Sequence, residues 1–170
     1  MKIELKYGVI SGAGVCAWVL VEYFLGFHNQ HLALGKITGY LATVIPVVAL
    51  FRALKERRDQ QPDDDLATGD GVKAGLIISA IAGVITTAFF WAYKHYINPG
   101  WMEKALEFEK AQMAKAGASA EMIDRKVAAF NALHSDEIQI VTGLIGTLVM
   151  GLAISLVITS ILKKKTSAPE

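Results

Sequence analysis

The sequence predicts an all-α fold: an integral membrane four-helix bundle, with an extramembrane amphipathic helical hairpin between the third and fourth spans. Three observations carry that prediction. From Ile138 to Leu162 there is no charged side chain. A helix of that length covers roughly 37 Å, more than the roughly 30 Å of hydrocarbon in a bilayer. The chain is 53% hydrophobic with a mean hydropathy of +0.38, high for a soluble domain and suited to a chain lying half in lipid. Finally, three further apolar runs of spanning length precede the last one, each bounded by polar or helix-breaking residues.

The first span covers about residues 7–27, interrupted only by Glu22. It is too long for the apolar region of a signal peptide and is expected to be retained. His28-Asn29-Gln30-His31 turns the chain back into a second span, about 32–54, with Lys36 near its start and Pro46 inside. Proline has no amide hydrogen and crowds the carbonyl of Ala42, so a kink is expected there, as a shape feature or as a hinge. A charged loop follows, with Arg52, Lys55, Arg57 and Arg58, then Asp59, Asp63-Asp64-Asp65 and Asp70. Its acidic run lacks the spacing and terminal glutamate of an EF-hand and reads as solvated. The third span, about 72–97, stops at Asn98-Pro99-Gly100. The fourth, about 138–162, begins behind Ser135-Asp136-Glu137 and ends at Lys163-Lys164-Lys165. All of it is expected to form one membrane domain, 1–170.

Between the last two spans, Trp101, Ala105, Phe108 and Gln112 fall on one helical line, with Met102, Leu106 and Met113 beside it. Gly117 ends that helix and Ser119 caps a second, in which Ile123, Val127, Phe130 and Leu133 repeat at helical spacing. This hairpin, 101–133, is expected to pack on itself over the ends of the spans; a partner surface is the alternative. Positive charge is densest at Lys2 and Lys6, at Arg52–Arg58 with Lys73, and at Lys163–Lys165. Both termini are therefore expected to be cytoplasmic, with the hairpin outside.

Lipid offers transmembrane helices no hydrophobic driving force to associate, so close packing through small residues does much of that work. Gly71, Gly75, Ser79, Gly83 and Thr87 form a four-residue ladder on the third span. Gly143, Thr147, Gly151, Ser155 and Thr159 form another on the fourth. The ladders are expected to bring these two spans together, or else to make a homodimer contact.

Glu22 is the one ionisable residue well inside a span. An acid there is costly and points to function or to a named partner. The expected partner is Lys36 or Lys94, each near the outer end of its own span; proton or ion coupling is the competing reading. His28, His31, His95 and His134 also fall near outer membrane ends, but no pair has the spacing of a zinc motif, so no metal or other cofactor is expected. Net charge is +1, which excludes a general nucleic-acid field. The single cysteine, Cys16, excludes an intramolecular disulfide. No nucleophile elbow, phosphate loop or other catalytic motif appears.

Several stretches resemble the bacterial "domain of unknown function" family numbered 4199, small four-span membrane proteins. They are Lys6-Tyr7-Gly8-Val9-Ile10, Ala53-Leu54-Lys55-Glu56-Arg57-Arg58-Asp59, the Gly71–Gly75 entry to the third span, Met113-Ala114-Lys115-Ala116-Gly117-Ala118, and the run from Gly151 to Lys164. The resemblance implies a bacterial inner-membrane protein and carries no activity to transfer. The expected function is that of a non-enzymatic polytopic protein, structural or accessory. Its partners would be the lipid bilayer and a membrane-protein partner or a second copy. The alternative is a small transporter or an ion- or proton-coupled channel component using Glu22. A metal-dependent membrane enzyme is a distant third.

Overall fold

The computed structural model describes residues 2–61, 65–133 and 135–163. Asp63, Asp64, His134, Lys164 and Lys165, named above, lie outside them. The described chain is helical and without strands. Its elements in order are α1 (Ile3–Phe24), α2 (Leu32–Leu41), α3 (Val44–Arg58), α4 (Thr68–Ala92, continued by a π turn over Tyr93–Ile97), α5 (Trp101–Lys115), α6 (Ala120–Leu133) and α7 (Asp136–Leu162). Four helical stretches, Ile3–Phe24, Leu32–Arg58, Thr68–Ile97 and Asp136–Leu162, are long and apolar enough to cross a membrane.

Helix α4 is the central element, packing against both α1 and α7, while α3 closes the other side against α1 and α7. The core lies where these four helices meet, at the end of the bundle where α3 stops and α4 starts. Leu50, Ala53, Leu54, Leu66, Ala74, Ile78, Ile158 and Leu162 form one buried cluster, with Ile3 and Tyr7 packed against it. Ion pairs tie the start of α1 to the end of α3: Lys6 meets Glu56 at 2.7 Å and Arg57 meets Glu4. The Tyr7 hydroxyl donates to the same Glu56 at 2.8 Å. Against α4, the approach of α1 is close because two glycines allow it. A Cβ on Gly8 would lie 2.7 Å from that of Ile81, and one on Gly12 would lie 2.9 Å from that of Ile85.

Two boundaries differ from the sequence expectation, each for a local reason. The second span is broken rather than kinked. It unwinds at Ala42-Thr43, because Pro46 has no N–H to bond the Ala42 carbonyl. That carbonyl accepts instead from Ile45 at 3.3 Å, while the Thr43 hydroxyl donates to the Tyr40 carbonyl at 2.6 Å. The first span ends at Phe24, not at residue 27. Gly26 takes a φ of 76°, which a side chain rarely tolerates. Its carbonyl collects the amides of Asn29, Gln30 and His31, and the chain reverses. Glu22 therefore lies in the last turn of α1 rather than two turns inside it.

The hairpin forms at α5 and α6, with Gly117 at φ 76° between them. The two helices pack on each other and bury no residue completely. Among the described residues, two side-chain hydrogen bonds tie α5 to the bundle: Lys36 Nζ donates to Glu109 at 2.6 Å, and Lys104 Nζ to Asn29 at 2.9 Å.

Candidate functional site

At the hairpin end of the bundle, four polar side chains from separate parts of the chain meet out of water. The reversal at Gly26 folds His28 back over the last turn of α1, so that its Nε2 stands 3.4 Å from Glu22 Oε2. The His28 Nδ1 lies 2.6 Å from the hydroxyl of Tyr93. At the end of α4 the helix widens into the π turn, and the Asn98 amide donates to the Tyr93 carbonyl at 2.8 Å. That turn brings the Asn98 side chain round to donate from Nδ2 to the Tyr93 hydroxyl at 3.2 Å. Single π turns inside helices are frequent at functional sites. Here the turn aligns Asn98 with Tyr93.

Glu22 fixes the direction of this chain. Its carboxylate only accepts, so the neutral His28 ring carries its proton on Nε2. The His28 Nδ1 then accepts from the Tyr93 hydroxyl, whose oxygen accepts in turn from Asn98 Nδ2. Burial pushes the His28 pKa below its usual 6.5, and the attraction of Glu22 opposes that only in part. The imidazole is thus neutral at pH 7. Rings enclose the network: Tyr23, Phe89 and Trp101 stand with centroids 5.9, 5.9 and 5.7 Å from that of Tyr93. Trp101 also lies 5.5 Å from His28.

Glu22 is the unsatisfied member. The residue is only 3% exposed, and its Oε1 has no hydrogen-bond partner. It also sits at the C-terminal end of α1, where the helix dipole disfavours a negative charge. A buried acceptor left unpaired costs about 1–3 kcal/mol, more when charged. Beside it is a cavity of about 300 Å³ bounded by α1, α2 and α5.

The expected lysine partners of Glu22 are engaged elsewhere, which corrects that expectation. Lys36 pairs with Glu109 on α5, and Lys94 pairs at 2.7 Å with Asp136, which also takes His95 Nε2 at 2.8 Å. Both lysines meet acids supplied from the hairpin or the start of α7, nearer water, where an ion pair loses less hydration. Only Lys36 shares the cavity with Glu22. The missed partner, His28, follows Glu22 by six residues, but its return over the carboxylate depends on the turn at Gly26. Among the described residues, no three His, Cys, Asp or Glu side chains gather to hold a metal ion.

The small-residue ladders meet rung against rung. Thr159 faces Gly71, Ser155 faces Gly75, and Ser79 faces Gly151; a Cβ on any of these three glycines would overlap the facing hydroxyl. The next two rungs are looser. A Cβ on Gly83 would be 3.4 Å from Thr147, and one on Gly143 would be 3.5 Å from Thr87. Each step of four up α4 thus meets a step of four down α7, as antiparallel helices with matched periods require. The ladder holds the α4 backbone close to α7 and so anchors the element that carries Tyr93.

Compared with known families, the chain matches, over residues 6–164, the family described as protein of unknown function, DUF4199. The chain belongs to the DUF4199 family. No curated protein and no solved structure matches it. For this DUF4199 protein the functional reading therefore rests on its own geometry.

Proposed function

We propose that this DUF4199 protein is a non-enzymatic, multi-pass protein of a bacterial inner membrane, structural or accessory in role, with both termini in the cytoplasm and the hairpin outside. The observation that carries this reading is the end of the bundle where α3 stops and α4 starts. An apolar cluster is buried between the helices there, and the ion pairs Lys6–Glu56 and Arg57–Glu4 tie α1 to α3 at its edge. The polar network stops at Glu22 and His28. Past it toward that end, the buried polar side chains among the described residues are the hydroxyls of Ser11, Ser79, Ser155 and Thr159. Level with them the Leu50–Leu54–Leu66–Ile78 cluster is buried between α3, α4 and α7. A transporter needs a polar route that reaches both faces; this arrangement supports a scaffold with one open end.

The competing reading, an ion- or proton-coupled component, draws on the orphaned Glu22 oxygen and the hydrogen-bond chain to Asn98. Proteoliposomes loaded with a pH-sensitive dye separate the two. No proton flux above that of empty vesicles is expected under an imposed gradient or potential. Flux that Glu22→Gln abolishes would replace the accessory reading with the coupled one. For orientation, the test is impermeant thiol labelling of intact cells on a Cys16→Ser background. Ala116→Cys is expected to react and Ala67→Cys is not; the opposite pattern would invert the topology.

A further inference from the structure

The cavity beside Glu22 has the composition of a binding site. Its volume of about 300 Å³ lies at the small end of the roughly 300–1,000 Å³ range of ligand pockets. Its walls include two carboxylates, Glu22 and Glu109, against the single ammonium of Lys36. Lys36 is already bound to Glu109, so the charge without a cationic partner is that of Glu22. Its Oε2 faces the neutral ring of His28, itself part of the lining, at 3.4 Å. The Glu22 side chain is 4% exposed and one oxygen has no partner. The rest of the lining is mainly apolar and aromatic, with Phe90, Trp101 and Phe108 among it.

Each class of ligand can be weighed against those walls. An anion would meet two carboxylates. A neutral apolar molecule would bring no charge to offset that of Glu22. A metal ion needs several oxygen or nitrogen ligands to replace its water shell, and no cluster of three acidic, histidine or cysteine side chains supplies them among the described residues. An organic ammonium suits both parts of the lining. It places positive charge against the carboxylate, and its methyl or methylene groups lie against ring faces, whose quadrupoles attract a cation.

We propose that this cavity binds a small organic ammonium ion, with Glu22 as its counter-ion and the Trp101 ring as an aromatic wall. The site stands whether or not a partner protein docks on the hairpin. The same chemical group reaches the cavity from two sources: a free solute, or the headgroup of an ethanolamine lipid in the surrounding membrane.

Calorimetric titration of the full-length protein, first in neutral detergent with choline as probe, tests the site. The uncharged isostere 3,3-dimethylbutan-1-ol and matched potassium chloride serve as controls. Saturable binding of choline is expected, with none for the alcohol or the salt. Glu22→Gln is expected to weaken choline binding roughly tenfold or more, as removal of a buried charge partner does. Should Glu22→Gln fail to fold, Trp101→Leu decides instead, with a similar loss expected from the missing ring face. Equal binding of the alcohol, or unchanged choline affinity in the deciding variant, would overturn the proposal. Nanodiscs then separate the sources. Choline binding in phosphatidylglycerol discs but not in phosphatidylethanolamine discs identifies a lipid headgroup as the occupant, and binding in both identifies a free solute. Absence of binding in detergent and in both kinds of disc would also overturn it.

Discussion

The two halves of the bundle are built on opposite plans. In the half where α3 stops and α4 starts, α1, α3, α4 and α7 interlock. Buried residues on α7 begin only at Gly151 and continue to Leu162, and those on α3 run from Ala49 to Leu54. In the hairpin half, α2 has no buried residue and the first half of α7 none either. There the helices part around cavities and hold the Glu22–His28–Tyr93–Asn98 network instead. The same two ladders run through both halves, yet their rungs are tight in one and loose in the other. The difference teaches that small residues permit close approach without compelling it; at the far end Phe90 and Trp101 line the cavities on both sides of α4.

The largest expected effect tests that contrast directly. Gly151→Leu sets a large side chain against Ser79 in the tight half and is expected to cost about 3 kcal/mol or more, through overpacking. Gly143→Leu, in the loose half, is expected to cost about 1 kcal/mol at most, since its nearest neighbour stands at ordinary contact distance. Thermal unfolding in detergent compares them. Equal losses would erase the distinction between the halves.

Next in size is Tyr93→Phe. It deletes the hydroxyl between Asn98 and His28 and leaves an unpaired group on either side, an expected loss of about 2 kcal/mol. A wild-type unfolding midpoint would mean that water replaces the hydroxyl and that the hairpin half is wet throughout.

The pH dependence is smaller. His28 is held neutral in the fold, with its pKa below 6.5. As pH falls below 6.5 the unfolded chain takes up a proton that the folded chain does not, so stability declines until the folded pKa is passed. The slope is at most about 1.4 kcal/mol per pH unit for this one group. The wild-type midpoint between pH 7 and 5 is therefore expected to fall further than that of His28→Asn. Parallel curves would show that folding leaves the His28 pKa unshifted. Smallest of all is Lys36→Met. The lysine side chain is 56% exposed, and an exposed ion pair contributes no more than about 1 kcal/mol. A larger loss would show that α5 depends on this contact for its position.

Sequence alone determined the number and approximate place of the four spanning stretches, the hairpin between the last two, and the residues of both ladders. Composition and helical period are local properties, and each of these features lies within one contiguous segment. The matched register of Gly71 to Thr159 with Thr87 to Gly143 was implicit in the shared spacing of four. Only the tertiary structure decided which rungs close. It also decided the partner of Glu22, which depends on a left-handed turn at Gly26, a π turn at Tyr93 and the seating of α5. An acid inside a span announces that it needs an answer, but what stands nearest to it is set by how the chain leaves its helix. Lys36 and Lys94 had the right charge and depth. Glu109 and Asp136 reached them nearer water, and the neutral ring of His28 came back over the carboxylate in their place.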